Sequence, residues 1–222
     1  MLLSSPSKLA SGNQDRHRFE QISDAIFRWN FFSKYHKVDL TSHCIITRNQ
    51  LYLFDPVSAC SLPSGYSGGS IILTNSNHER VSGVAGVTFD MKVYASQKVQ
   101  FSSSYFPAER FDNKDEKPPD QFRDWELMPI EGGADGEFAF FNPDLKIAIF
   151  GDSLINLPGR GLEILPEKYC SDRRLLEEQL RLWWQKYMNK VHWMLFAHGS
   201  PLFFPRSAFD MQSLENHLFH GR

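Results

Sequence analysis

Cysteine is scarce in this chain of 222 residues, and the three that occur, Cys44, Cys60 and Cys170, stand far apart. Their number is odd and no two form a CxxC pair, which argues against a cysteine zinc site and against a disulfide framework. Few, unpaired cysteines are typical of proteins from a reducing compartment. We therefore expect a cytoplasmic protein.

Long apolar runs and an excess of either charge are also missing. No segment of the sequence reaches the roughly 18 apolar residues that a membrane-spanning helix needs. The 24 Lys and Arg residues nearly balance the 26 Asp and Glu residues, so the net charge of −2 offers no basic surface for nucleic acid or an anionic membrane. Hydrophobic residues make up 41% of the chain, which is enough for a core. We expect a globular protein with neither nucleic acid nor membrane as a partner.

The order of polar and apolar segments predicts one domain behind a short tail. Residues 1–18 are polar and rich in Ser and are predicted to form a flexible tail, whereas residues 19–222 are predicted to form a single domain. Helices are predicted at residues 79–88 and 172–188, the second with Ser171 as its N-cap. Apolar and β-branched runs predict a hairpin at 44–54 and strands at 70–74, 92–95, 126–130, 137–141, 146–150 and 192–196. Strands mixed with few helices indicate a layered α/β or α+β domain.

Several of these apolar strands end abruptly in a polar residue. The strand-end residues are Asp55, Asn75, Asp152 and His198. Ligands of layered α/β proteins bind outside the carboxyl ends of the strands, so these four ends could meet at one pocket. Polar residues also end strands that have no function, and the pattern by itself leaves both interpretations open.

Taken in order, the strand-end segments resemble the motifs of the metallo-β-lactamase superfamily. The segments that carry the resemblance are FD at residues 54–55, ILTNSNHER at 72–80, GGADGE at 132–137, FGDSL at 150–154 and AHG at 197–199. A second motif of the form LTNSxHxR and the segment GLEILP at 161–166 resemble a divergent branch of that superfamily. The resemblance implies a four-layer αββα sandwich and, in the hydrolases of the family, a site for one or two metal ions.

The resemblance also implies that most metal ligands of the family are replaced here. Asn75 and Asn77 stand at the positions of the first two His ligands, and Gly133 stands at the position of the third. Neutral amides are poor zinc ligands and Gly has no side chain, so the first metal site is expected to be lost. In the second site Glu79 replaces Asp and Arg80 replaces His, while Asp152 and His198 keep the residue types of the family and Asp55 remains as a structural acid.

The main hypothesis is therefore a metallo-β-lactamase-like protein without the dinuclear zinc site and with no expected cofactor. Arg80 would pair with Asp152 or Glu79 in place of a metal ion. His78 lies inside the second motif at a position that is not a ligand in the family. The residual polar pocket would bind a small polar or anionic ligand, and its expected residues are Asp55, Asn75, Asn77, His78, Glu79, Arg80, Gly133, Asp152, Arg160 and His198.

Two alternatives remain, and both make the protein an enzyme. The first is a mononuclear hydrolase of esters or phosphodiesters that holds one zinc, manganese or iron ion through Glu79, Asp152 and His198. The second is metal-free acid–base catalysis, in which Asp152 orients His198 as the base. Asp152 and His198 are the candidate catalytic residues in both.

Overall fold

The computed structural model describes residues 18–35, 37–48, 50–59, 62–63, 66, 68–102, 107–111, 120–204 and 208–219. The predicted tail of residues 1–18 lies outside these ranges except for Arg18. No helix in the described ranges combines the length and the apolar character needed to cross a membrane.

Seven strands within the described residues form the first sheet, and they lie in it in chain order. Neighbouring strands are antiparallel from β1 to β4 and parallel from β4 to β7. The predicted hairpin at 44–54 is confirmed by the pairing of β3 with β4, in which Thr47 lies opposite Gln50. The strands are β1 (Arg18–Gln21), β2 (Ile26–Ser33), β3 (Val38–Thr47), β4 (Gln50–Phe54), β5 (Ser70–Ile72), β6 (Lys92–Ser96) and β7 (Ala108–Phe111).

The second half of the chain supplies the other strands of the described ranges. They are β8 (Glu126–Pro129), β9 (Phe138–Asn142), β10 (Ile147–Phe150), β11 (Leu154–Leu157), β12 (Gly161–Ile164), β13 (Trp193–Phe196) and β14 (Leu202–Phe203). The second sheet has the strand order β14-β13-β10-β9-β8, and β11 pairs with β12 as a separate hairpin. Because β10 and β13 are parallel, the residues that follow them leave the sheet at the same edge.

Three α-helices occur in the described part of the chain: α1 (Ser82–Phe89), α2 (Arg173–Tyr187) and α3 (Ala208–Phe219). Helix α1 begins later than predicted because the backbone of Arg80 has a φ of 41°, in the left-handed region, which separates the helix from the 3₁₀ turn Ser76–His78. The side chain of Asn75 caps that turn. Helix α2 is confirmed, but its N-cap is Asp172, whose carboxylate accepts from the N–H of Leu175, so the prediction of Ser171 as the N-cap was wrong.

Three apolar clusters stack the elements into layers. The central cluster lies between the sheets, where Phe54 and Ile72 of the first sheet meet Phe140 and Ile149 of the second. The outer face of the second sheet packs against α2 through residues such as Phe150 and Trp183, while the outer face of the first sheet packs against Ala85 of α1. The order helix, sheet, sheet, helix confirms the expected four-layer sandwich.

A buried histidine connects the two sheets. His43 of β3 is almost fully buried, and its Nε2–H donates to the carbonyl oxygen of Phe196 in β13 over 2.9 Å. Burial lowers the pKa of His43 to about 4, although the hydrogen bond to Phe196 acts in the opposite direction. The folded protein therefore keeps this imidazole neutral where the unfolded chain would protonate it.

This histidine predicts a loss of stability in mild acid. Its pKa is lower in the folded state than in the unfolded state, so its contribution is complete above pH 6.5 and is lost as the pH falls toward 4. Between pH 7 and pH 5 we expect His43 to account for a decrease of about 2 kcal/mol in the free energy of unfolding. Urea denaturation at both pH values should show this decrease and should show it reduced in His43→Gln, whose amide can still donate to Phe196. His217→Gln, at an exposed position of α3, is the matched control, and an equal decrease in all three proteins would contradict the assignment.

Candidate functional site

Residues that follow four strands come together at one edge of the sandwich. Asp55 follows β4, His78 ends the 3₁₀ turn after β5, Asp152 follows β10 and His198 follows β13. His78 lies between the two aspartates, with Nδ1 at 3.0 Å from Asp55 Oδ2 and Nε2 at 3.1 Å from Asp152 Oδ1. His198 Nε2 lies 2.9 Å from the same Asp152 Oδ1. The edge thus carries a chain of contacts from Asp55 through His78 and Asp152 to His198.

Asp55 supports the buried side of His78. Its backbone has a φ of 49°, in the left-handed region, and its carboxylate accepts from the N–H and the hydroxyl of Thr74 at 2.9 and 2.8 Å. Burial would raise the pKa of Asp55, but the charges of His78 and Arg80 outweigh burial and hold that pKa below its usual value. An ionised Asp55 fixes the ring of His78 through Nδ1 and directs Nε2 toward Asp152.

The charge of His78 is set by effects that act in opposite directions on its pKa. Burial and the nearby guanidinium of Arg80 lower its pKa, whereas the carboxylates of Asp55 and Asp152 raise it, and the outcome is a pKa of about 9. Without another cation at Nε2, His78 is therefore an imidazolium that donates to both aspartates.

Asp152 uses both of its oxygens. Oδ1 faces the two histidines, while Oδ2 accepts from the side-chain amide of Asn77 over 2.8 Å. Burial alone would raise the pKa of Asp152, but His78 and His198 hold it well below its ordinary value. The hydrogen bond from Asn77 occupies Oδ2 and leaves Oδ1 directed toward the histidines.

The donor atoms of this cluster are suited to a single divalent metal ion. Ligand atoms of His78, Asp152 and His198, one from each, lie within 4.8 Å of one another, and the Nε2 atoms of the two histidines lie 3.1 and 2.9 Å from Asp152 Oδ1. Imidazole nitrogen and carboxylate oxygen are ordinary zinc ligands, and three protein ligands with an open fourth position are typical of catalytic zinc sites. A carboxylate on the other ring nitrogen of a ligating histidine is the usual support for such a ligand, and Asp55 provides it for His78.

Glu79 and Arg80 do not have the places expected for them. The carboxylate of Glu79 accepts from the N–H and the hydroxyl of Ser102, both at 2.7 Å, so it points away from Asp152 and His198. A 3₁₀ turn has three residues per turn, and only one of two successive residues can face the cluster. His78 takes that place and Glu79 does not.

Arg80 likewise differs from its expected pairing with Asp152 or Glu79. One terminal nitrogen of its guanidinium donates to the carbonyl oxygens of Thr41 and Asp55 at 3.1 and 3.0 Å. The first carbonyl belongs to β3 and the second to the residue that follows β4, so the cation is held by backbone next to Asp55. The charge of Arg80 still acts on both aspartates, but the hydrogen bonds of its guanidinium go to backbone carbonyls and not to either carboxylate.

The other expected pocket residues divide into two groups. Asn77 contacts Asp152, and Asn75 is buried beside it, where its side-chain oxygen accepts from the Asn77 N–H. Gly133 lies nearby, since a Cβ on it would be 3.8 Å from Glu137 Oε2. Arg160 is not brought to this cluster, because its exposed guanidinium pairs with Glu163 at 2.6 Å.

Sequence reasoning missed Glu137, a carboxylate that is only 2% exposed. Its Oε1 accepts from the N–H of Ser153 over 2.9 Å, and its Oε2 lies 3.5 Å from the side-chain nitrogen of Asn75. Burial and the charge of Asp152 raise the pKa of Glu137 to about 7. The side chain lies between Asn75 and Gly133, two positions where the resemblance implies ligands of a first metal site, and it fills that space.

Comparison with known proteins identifies the fold. No family model and no curated protein matches this sequence. Solved structures match over most of their length. DIM-1 metallo-β-lactamase exposed to ceftazidime has a TM-score of 0.65 at 15% identity and covers 86% of this chain and 93% of its own. FIM-1 metallo-β-lactamase from Pseudomonas aeruginosa, in its mono-zinc form, has a TM-score of 0.64 at 12% identity and covers 92% of this chain and 95% of its own.

A metallo-β-lactamase from Pontibacter korlensis has a TM-score of 0.60 at 14% identity and covers 93% of this chain and 98% of its own. Agreement over nearly whole chains, together with the four layers and the site at the strand ends, identifies the architecture. The chain therefore has the metallo-β-lactamase fold, at identities that mark it as a divergent example.

Proposed function

We propose that this protein binds one divalent metal ion through His78, Asp152 and His198 and hydrolyses an ester or a phosphodiester. The observation that carries the proposal is the convergence of ligand atoms of His78, Asp152 and His198 within 4.8 Å, with the Nε2 atoms of both histidines at 3.1 and 2.9 Å from Asp152 Oδ1. An ion held there would act as a Lewis acid and make water a nucleophile near neutral pH. The proposal keeps the mononuclear alternative from the sequence but replaces Glu79 by His78.

Each residue around the centre has a defined task in this proposal. Asp55 holds the proton of His78 on Nδ1, so that the lone pair of Nε2 is directed to the ion. Asn77 binds Asp152 Oδ2 and orients Oδ1. The side chain of His198 is 19% exposed, compared with 1% for His78, so substrate would approach from the His198 side.

The first metal site of the family has no counterpart in this proposal. Asn75, Gly133 and the intervening carboxylate of Glu137 form a hydrogen-bonded and packed group at that place. FIM-1, one of the similar structures, is described in a mono-zinc form. This supports the view that the fold can hold a single ion.

A second candidate function is a metal-free pocket for a small polar or anionic ligand. The observation that favours it is the charge balance, because Arg80 and an imidazolium at His78 together neutralise Asp55 and Asp152. A measurement of metal binding separates the two candidates.

One prediction of the proposed function concerns metal stoichiometry and ligands. After removal of metal with a chelator, titration with zinc against a chromophoric competitor should give close to one ion per chain. His78→Ala, Asp152→Ala and His198→Ala should each lose tight binding, because each removes one of the three ligands. Glu79→Gln and His217→Ala should bind as the wild type does, since Glu79 faces Ser102 and His217 is exposed on α3. A wild type that binds none of zinc, manganese or iron would contradict the metal centre and favour the polar pocket.

Another prediction of the proposed function concerns hydrolytic activity. The zinc-loaded protein should hydrolyse at least one substrate in a panel of chromogenic esters and phosphodiesters, and chelation or His198→Ala should abolish turnover. Asp55→Asn should weaken zinc affinity by about 10- to 100-fold, because it removes the charged support of His78. Turnover that persists in the chelated protein would contradict a metal-dependent reaction.

A further inference from the structure

We propose that Glu137 is a positioning residue for this centre: its buried carboxylate holds the turn that carries Asp152 against the turn that carries His78. The inference rests on the proposed metal-binding function. It assigns a role to a residue that was not among the expected pocket residues, although it ends the GGADGE segment.

The first support is where Glu137 lies in the second sheet. It directly precedes β9, and the antiparallel pairing of β9 with β10 sets Asn142 opposite Ile147 and Phe140 opposite Ile149. Continued past the strand ends, this register places Glu137 across from Asp152. The N–H of Phe138 also donates to the carbonyl oxygen of Thr74 over 3.0 Å, which attaches the start of β9 to the end of the neighbouring sheet.

The second support is a closed ring of contacts through both turns. Glu137 Oε1 accepts from Ser153, the residue after Asp152, and Glu137 Oε2 faces the amide of Asn75. Asn75 caps the 3₁₀ turn that carries His78 by accepting from the N–H of Asn77 at 2.9 Å. Asn77 then donates to Asp152 Oδ2, which closes the ring.

The third support is the tight packing inside this ring. A Cβ on Gly151 would lie 2.6 Å from Thr74 Oγ1, 2.7 Å from Asn75 Nδ2 and 3.1 Å from Glu137 Oε1. The backbone before Asp152 is therefore in direct contact with the side chains of the opposite turn, and little room is left for the two turns to slide. Removing the carboxylate would leave the Ser153 N–H without its acceptor and would open a gap behind Asp152.

Both oxygens of Glu137 are engaged in these contacts, so the residue acts on the centre through Asp152 and the 3₁₀ turn. Outer-shell partners of metal ligands commonly contribute about 10- to 100-fold in metal affinity, because they fix the ligand before the ion arrives. We expect an effect of that size for Glu137→Ala. Glu137→Gln should retain more of the affinity, since its amide oxygen can still accept from Ser153.

The test compares zinc affinity, measured by chelator competition, with the thermal midpoint of the metal-free protein. Glu137→Ala should weaken zinc binding at least about 10-fold and should alter the visible spectrum of the cobalt(II)-substituted protein. Glu137→Gln should show a smaller loss of affinity, and it provides the measurement if the alanine variant fails to fold. Glu131→Ala is the matched control, because that exposed carboxylate pairs with Lys98 on the surface.

The outcomes separate this inference from the proposed function. If the wild type binds zinc and both Glu137 variants bind it equally well with unchanged cobalt spectra, the positioning role is overturned, even if their thermal midpoints fall. If the wild type itself binds no zinc, the proposed function fails and the positioning role falls with it. Weaker binding in Glu137→Ala, partial retention in Glu137→Gln and no change in Glu131→Ala would support the inference.

Discussion

One buried carboxylate, that of Asp152, sets the requirements of the whole site. Burying a charge without partners costs several kcal/mol, so the surrounding structure has to supply partners or the group cannot stay ionised. Asp152 accepts from the side-chain amide of Asn77 on one oxygen and faces the imidazoles of His78 and His198 on the other, and these partners come from two segments of the chain, the 3₁₀ turn after β5 and the end of β13. The ends of β5, β10 and β13 must therefore stay together for this edge to be stable.

The sandwich satisfies this requirement through its strand order. Parallel pairing of β10 with β13 brings Asp152 and His198 to the same edge, and the 3₁₀ turn after β5 brings His78 from the facing sheet. The apolar core between the sheets sets the distance over which these residues reach one another. The polar site thus depends on side chains such as Phe54 and Phe140, which stack edge to face at 5.3 Å.

Local patterns in the sequence were sufficient for the hairpin of β3 and β4, for α2 and for the strand-end residues Asp55, Asp152 and His198. They also predicted β5, β6, β8, β9, β10 and β13, but they missed β1, β2, β7, β11, β12 and β14. They did not separate His78 from Glu79, because hydrophobic periodicity carries no information about which of two adjacent polar residues a short 3₁₀ turn directs inward. Glu137 had a usable signal, since the predicted strands at 137–141 and 146–150 form a hairpin whose register reaches Asp152. Arg160 had none, because its distance from the cluster follows from the path of the hairpin of β11 and β12.

The two candidate functions differ in what balances the buried negative charges of Asp55 and Asp152. Asp55 and Asp152 enclose His78, and the positive charge that they require can be an imidazolium with a proton on each ring nitrogen or an ion at Nε2 with the proton kept on Nδ1. Arg80 compensates only part of the negative charge, since its nearest partners are the backbone carbonyls of Thr41 and Asp55. Either interpretation therefore requires a second positive charge beside Asp55 and Asp152. The nitrogen of His198 faces the same oxygen of Asp152 as His78 does, so protons on these nitrogens and an ion held by three ligands would occupy the same place, and an ion that binds there would displace those protons.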